Sequence, residues 1–178
     1  MYQQIIDFWF KEIEPACWWK KDPDFDERIK QDFYDLHQQA SHGELFEWRQ
    51  SPIGSLAEII ILDQFSRNIY RDKAKSFAYD GMAILLAQRA IEKRFDLPLN
   101  PAERSFLYMP FMHSESASIH AYALTLYTQQ GLEHNLEFEL KHKVIIDGFG
   151  RYPHRNKILG RTSTPQEIAF LKEPNSSF

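Results

Sequence analysis

The chain contains a single cysteine, Cys17, among its 178 residues. One thiol cannot form an internal disulfide, and the lack of a Cys cluster gives no zinc-finger framework. No run of about 18 apolar residues occurs, so no segment reads as a membrane span. The N-terminal MYQQIIDFWFKEIEP is too short and too charged for a secretory leader. Surplus positive charge is also missing: the formal net charge of −4 argues against broad nucleic-acid binding, which needs many phosphate-neutralising cations. These absences lead to the expectation of a cytoplasmic protein that uses neither membrane nor nucleic acid. Three catalytic signatures are missing as well. There is no Gly-rich phosphate loop of the P-loop type, no GxSxG nucleophile turn and no HExxH-like metal spacing. No convincing stretch of alternating polar and apolar residues predicts a strand.

What is present is a core-forming chain. Hydrophobic residues make up 43% and aromatics 15%, too rich for disorder, and the length suits one domain over residues 1–178. Ile5, Ile6, Phe8, Trp9 and Phe10 predict a short helix ended by Pro15. Cys17, Trp18 and Trp19 then fall in a loop. Paired tryptophans either stack on a ligand or plug the end of a bundle. Cys17 would need the neighbouring Lys20 and Lys21 to act as a nucleophile. Asp24 and Glu27 read as a capping box for a helix carrying Phe25, Ile29, Phe33, Leu36 and Ala40, closed by Gly43.

Ser51-Pro52 opens a helix that runs to Tyr70, apolar on all sides at Ile59 to Leu62 and therefore central. Asp63 and Arg67 lie four residues apart on one face of it. Their pairing either locks two helices or holds an arginine towards a ligand. A further helix is expected from Phe77 to Phe95. Asn100-Pro101-Ala102-Glu103 begins another, kinked at Pro110, and His113 follows on its inward face. Ala117 to Tyr127 and Leu136 to Phe149 read as two more helices, with His142, Ile145, Ile146 and Phe149 on one side. Thr164-Pro165-Gln166-Glu167 starts a last short helix, and the tail from Pro174 reads as frayed. The sum is an all-α fold, a compact array of about seven to nine helices in antiparallel pairs, with pair lengths of the size of helical-repeat hairpins.

One acidic protein then has an acid-free stretch. From Gly148 to Gln166 there is no Asp or Glu, while Arg151, His154, Arg155, Lys157 and Arg161 all fall there. Gly148, Gly150 and Pro153 break the helix. Arginines, a histidine and free amides suit an anion, although a solvated basic turn has the same composition.

Four blocks in order, LDQFSRN (Leu62 to Asn68), FLYMPFMHSE (Phe106 to Glu115), FGRYPHRN (Phe149 to Asn156) and GRTST (Gly160 to Thr164), give the chain a family likeness. Over nearly its whole length it resembles the uncharacterised, mainly bacterial family catalogued as domain of unknown function 924. The resemblance implies a compact all-α, tetratricopeptide-like arrangement and carries over no activity. The chain departs from the family pattern after Glu115, where Ser116 to His120 replace more acidic and amide-rich residues.

Function therefore rests on the residues. Arg67, Asn68, Arg151, His154, Arg155 and Asn156 form the expected anion-binding set. His113, Glu115, His142 and Asp147 are the expected proton-transfer set, with Glu115 or Asp147 orienting a histidine. Their positions at helix ends and kinks let them converge on one cleft. His113 and Glu115 point about 200° apart on a regular helix, so no metal is assigned, and no cofactor is specified. The ligand expected is an anionic small molecule. The competing reading is a helical-repeat scaffold that binds a peptide or protein, with the polar blocks pinning helices together.

Overall fold

The computed structural model describes residues 1–174 and 176; Asn175, Ser177 and Phe178, part of the expected frayed tail, lie outside the described residues. No strand occurs among the described residues, and the fold is all-α. No helix there is long and apolar enough to cross a membrane. The chain divides into two compact units, Met1–Arg71 with Lys75–Pro110, and Asp72–Ala74 with Phe111–Phe178.

The first unit begins with α1 (Tyr2–Asp7), which runs on as a π-helical turn, Phe8–Glu12. The wider turn seats the adjacent Phe8 and Trp9 together in the interior, where an α-helix would splay neighbours about 100° apart. Helix α2 (Pro23–Ser41) starts two residues earlier than the Asp24–Glu27 pair predicts. Its cap is Asp22, which accepts from the N–H groups of Asp24 and Phe25 at 3.1 and 3.3 Å. Pro23 takes the first helical position, where its missing N–H costs nothing, and this moves the start. Gly43, at φ +74°, closes α2 as expected.

Helix α3 (Pro52–Ile60) is capped by Ser51 Oγ, which accepts from Gly54 N–H at 3.1 Å. A second π-helical turn, Ile61–Phe65, links it to α4 (Ser66–Ile69). Every residue of that turn is buried, including Asp63 and Gln64, so the central placement of this helix holds. Helix α5 (Asp80–Glu92) is shorter at both ends than the apolar pattern suggests, and Arg94 turns the chain at φ +59°. Helix α6 (Pro101–Met112) carries the expected reciprocal cap, Glu103 N–H to Asn100 Oδ1 and Asn100 N–H to Glu103 Oε2, both 3.0 Å. Pro110 lies inside this helix, and the two units divide just after it.

Aromatic rings fill the interior of the first unit. Phe8 meets Phe33 edge-on at 4.8 Å, Phe33 stacks on Phe65 at 5.2 Å, and Trp9 meets Phe106 edge-on at 5.6 Å. Each such side chain contributes about 1.5–3 kcal/mol by leaving water. Trp18 donates to Trp9 O at 3.0 Å, so one of the paired tryptophans is tied into this core. Trp19 stacks on Phe106 but remains 63% exposed. All four tryptophans, Trp9, Trp18, Trp19 and Trp48, belong to the first unit.

In the second unit α7 (Ala117–Tyr127) packs along α8 (Glu133–Phe149). Gly150, left-handed at φ +68°, ends α8. Pro153–Arg155 form a 3-10 turn, and α9 (Pro165–Phe170) opens with the predicted Thr164–Glu167 capping box. Ile145, Ile146 and Tyr152 make the core here, with Phe149 and Phe170 against them.

Candidate functional site

Arg67 and Asn68 stand in the first unit, each bonded to carboxylates. Arg67 Nη1 lies 3.3 Å from Asp63 Oδ1, the expected pair, and also donates to Asp63 O at 2.6 Å. The same guanidinium holds Asp80 through two bonds of 3.1 and 3.2 Å. Asn68 donates to Asp26 Oδ1 at 2.8 Å, and Arg71 holds both oxygens of Asp26. Asp63 is buried, so these bonds lock helices together.

The other sequence-predicted residues belong to the second unit, and three of them, His142, His154 and Arg155, meet at one side chain outside the expected set, Tyr152. Tyr152 follows the left-handed Gly150 and is buried, ringed by polar groups. Its ring meets His142 edge-on at 5.8 Å, His154 at 5.5 Å and His120 edge-on at 6.2 Å. The Arg155 guanidinium sits over the ring at 4.7 Å, a cation–π contact. Arg155 is itself buried. Half-buried His113 follows α6 and is near enough for its charge to act on His142 and His154.

Two of these imidazoles, His142 and His154, are held neutral. Burial pushes His142 down to about 3, the Phe138 carbonyl bonded to Nδ1 at 2.8 Å opposes this, and the other histidines add to it. His154 falls to about 4, first by burial and then by the charge of Arg155. Its Nδ1 is buried with no hydrogen-bond partner among the described residues.

The carboxylates have other partners than expected. Glu115 binds Arg161 through two bonds of 2.6 and 2.9 Å and accepts from Tyr152 N–H at 2.7 Å. Burial pushes its acidity down, but these bonds outweigh that and leave it below the ordinary carboxylate range. Arg161 also donates to Asn156 Oδ1 at 2.9 Å and Tyr152 O at 3.1 Å, while Asn156 donates to Ser163 Oγ. Asp147 lies on the exposed side of α8 and pairs with Lys143 at 2.5 Å. Arg151 is bound to Glu167 by bonds of 2.6 and 2.8 Å and to Thr162 O at 3.0 Å. The acidic side chain beside a histidine is instead Glu139: its Oε1 is 2.6 Å from His120 Nδ1, and both residues are 0% exposed.

Tyr152, His120, Glu139, Arg161 and Glu167 are thus structural members of the cluster outside the predicted set. Part of the signal was in the spacing. His120 falls in register with the buried Ala123 and Tyr127, and Glu139 with His142 and Ile146, each on the inward face of its helix. Among the described residues no group of three or more His, Cys, Asp or Glu is arranged to hold a metal ion.

Fold and site define an all-helical protein whose second unit gathers histidines and arginines about a buried tyrosine. Residues 5–175 match the model of a family described as a bacterial protein of unknown function (DUF924), and the chain belongs to that family. It is also similar to the solved structure of a protein of unknown function, ATU0120, from Agrobacterium tumefaciens. The two are 36% identical, with a TM-score of 0.88 and 96% of each chain covered. No curated protein matches it.

Proposed function

We propose that the chain binds a small anionic metabolite beside the Tyr152–Arg155 turn, with His113, His154 and Arg155 as the contacting groups. The observation that carries this is the buried, partnerless Nδ1 of His154. A polar atom left so costs free energy that a ligand oxygen would recover. Charge supports it: Arg151, Arg155, Lys157 and Arg161 all lie in this acid-free stretch, with Glu167 bonded to Arg151 and Glu115 to Arg161. Arg151 and Arg161 are then the frame of the site, and His142, packed on the same ring, is the neutral base available for a proton. Arg67, Asn68 and Asp147 take no part in this narrower site.

Thermal shift with inorganic phosphate and with small carboxylates tests the reading. A ligand at a hundred times its Kd stabilises by about 2.7 kcal/mol, and His154→Asn should abolish the shift. No shift in the wild type with any of these anions sinks the proposal.

One observation favours the alternative of a helical scaffold for a peptide or protein. Leu140 and Val144, one turn apart on α8, are 48% and 71% exposed. In this reading the α7–α8 hairpin is a tetratricopeptide-like pair presenting an apolar stripe. Leu140→Lys with Val144→Lys would abolish capture of that partner and leave the phosphate shift unchanged.

A further inference from the structure

The buried pair behind Tyr152 holds one proton whose place can be argued from its neighbours. His120 Nε2 lies 2.8 Å from Ser114 O and 3.2 Å from Tyr152 Oη. A carbonyl oxygen only accepts, so Nε2 carries a hydrogen. Tyr152 Oη donates to Met112 O at 2.5 Å, which leaves its lone pairs for His120.

The other nitrogen faces Glu139 Oε1 at 2.6 Å. Two net-neutral arrangements fit that distance. In one, His120 is an imidazolium and Glu139 a carboxylate. In the other the acid keeps its proton and donates to a neutral ring. Glu139 Oε2 decides between them, because it is buried with no hydrogen-bond partner among the described residues. A carboxylate would leave half a negative charge on that oxygen without a donor, whereas a carboxylic acid leaves a weakly polar carbonyl oxygen.

The charged and titratable groups nearby do not reverse this. His142, one turn along α8, is held neutral. Lys143 acts on Glu139 in the opposite sense but is tied to Asp147. Burial raises Glu139 above the ordinary carboxylate range against both His120 and Lys143.

We propose that Glu139 is a positioning residue that works as a protonated acid: its hydrogen fixes the Nε2–H tautomer of His120, and that tautomer clamps the Tyr152 hydroxyl. The acid on α8, the imidazole on α7 and the hydroxyl of the turn form one hydrogen-bonded chain. The ring it fixes is the floor on which His142, His154 and Arg155 rest, so the inference deepens the anion-site reading and rests on it for its functional consequence.

Nitrogen-15 spectra of the imidazoles, with and without inorganic phosphate, supply the test. In the wild type at pH 7 His120 should show one protonated nitrogen, Nε2, and an accepting Nδ1. Glu139→Gln should keep that tautomer, since an amide N–H can donate as the acid does, and should bind phosphate within about twofold of wild type. Glu139→Leu should leave Nδ1 without a donor, moving its nitrogen-15 resonance to that of an unbonded accepting nitrogen, and should bind phosphate about tenfold more weakly. A doubly protonated His120 in the wild type overturns the proposal, as does loss of the tautomer in Glu139→Gln. If Glu139→Leu fails to fold, the wild-type spectrum and the glutamine variant still decide. Failure of phosphate to bind the wild type would count against the anion site alone, because the His120 resonances are read without ligand.

Discussion

Glu167 shows how a single carboxylate can set acid stability. It is buried, it binds Arg151 twice, and those bonds with the Thr164 N–H hold it down to about 2. A carboxylate lowered by folding adds stability that is complete above its unfolded value of 4.5 and is lost as pH falls towards about 2. Arg151→Gln should therefore melt below the wild type at pH 7, and the two melting curves should converge as pH drops through that window. The histidines act in the same linkage sense, in a higher pH window. His142 and His154 lie at about 3 and about 4, below the unfolded value of 6.5. Between those values the unfolded chain holds the proton and the folded one does not, so stability falls as pH drops from 6.5. Each contributes a slope of up to about 1.4 kcal/mol per pH unit. His142→Gln should flatten urea stability measured from pH 7 to pH 5; an unchanged slope would show that the imidazole is charged in the fold.

At the level of elements, caps and turns were legible because their chemistry is local. Ser51, Asn100 and Thr164 each hold the bonds their spacing implies, and Gly43 turns where it should. The π-helical turns were not legible, since an inserted residue leaves the local composition of a helix intact. Nor was Gly54, whose need for hydrogen comes from a residue six positions back: a Cβ there would stand 2.2 Å from Trp48 O. Gly54→Ala should cost about 3 kcal/mol in urea unfolding, since neither backbone can yield cheaply. The Asp63–Arg67 pair has a second acid behind it. Asp63→Ala leaves Arg67 with Asp80, so its cost should be about 2 kcal/mol rather than that of a stranded charge. The double mutant Asp63→Ala/Asp80→Ala should lose more than the two single losses added together.

For the whole molecule, the sequence could name the basic turn but not its partners. Spacing along a helix predicts which side chains share a face, and that rule found His142 inward and could have found Glu139. It says nothing about which distant carboxylate reaches an arginine, so the Arg161–Glu115 and Arg151–Glu167 pairs, 46 and 16 residues apart, are set by the tertiary fold alone. The division into two units has an optical corollary. Because every indole belongs to the first unit, selectively excited tryptophan emission is a private channel for that unit, whereas far-ultraviolet circular dichroism, which α1 to α9 all feed, hears both. The histidine-rich unit is therefore dark in the first channel. Urea titrations at pH 5 should show ellipticity falling ahead of emission, and the gap should close at pH 7.5. Superimposable curves at pH 5 would mean that both units unfold in one step.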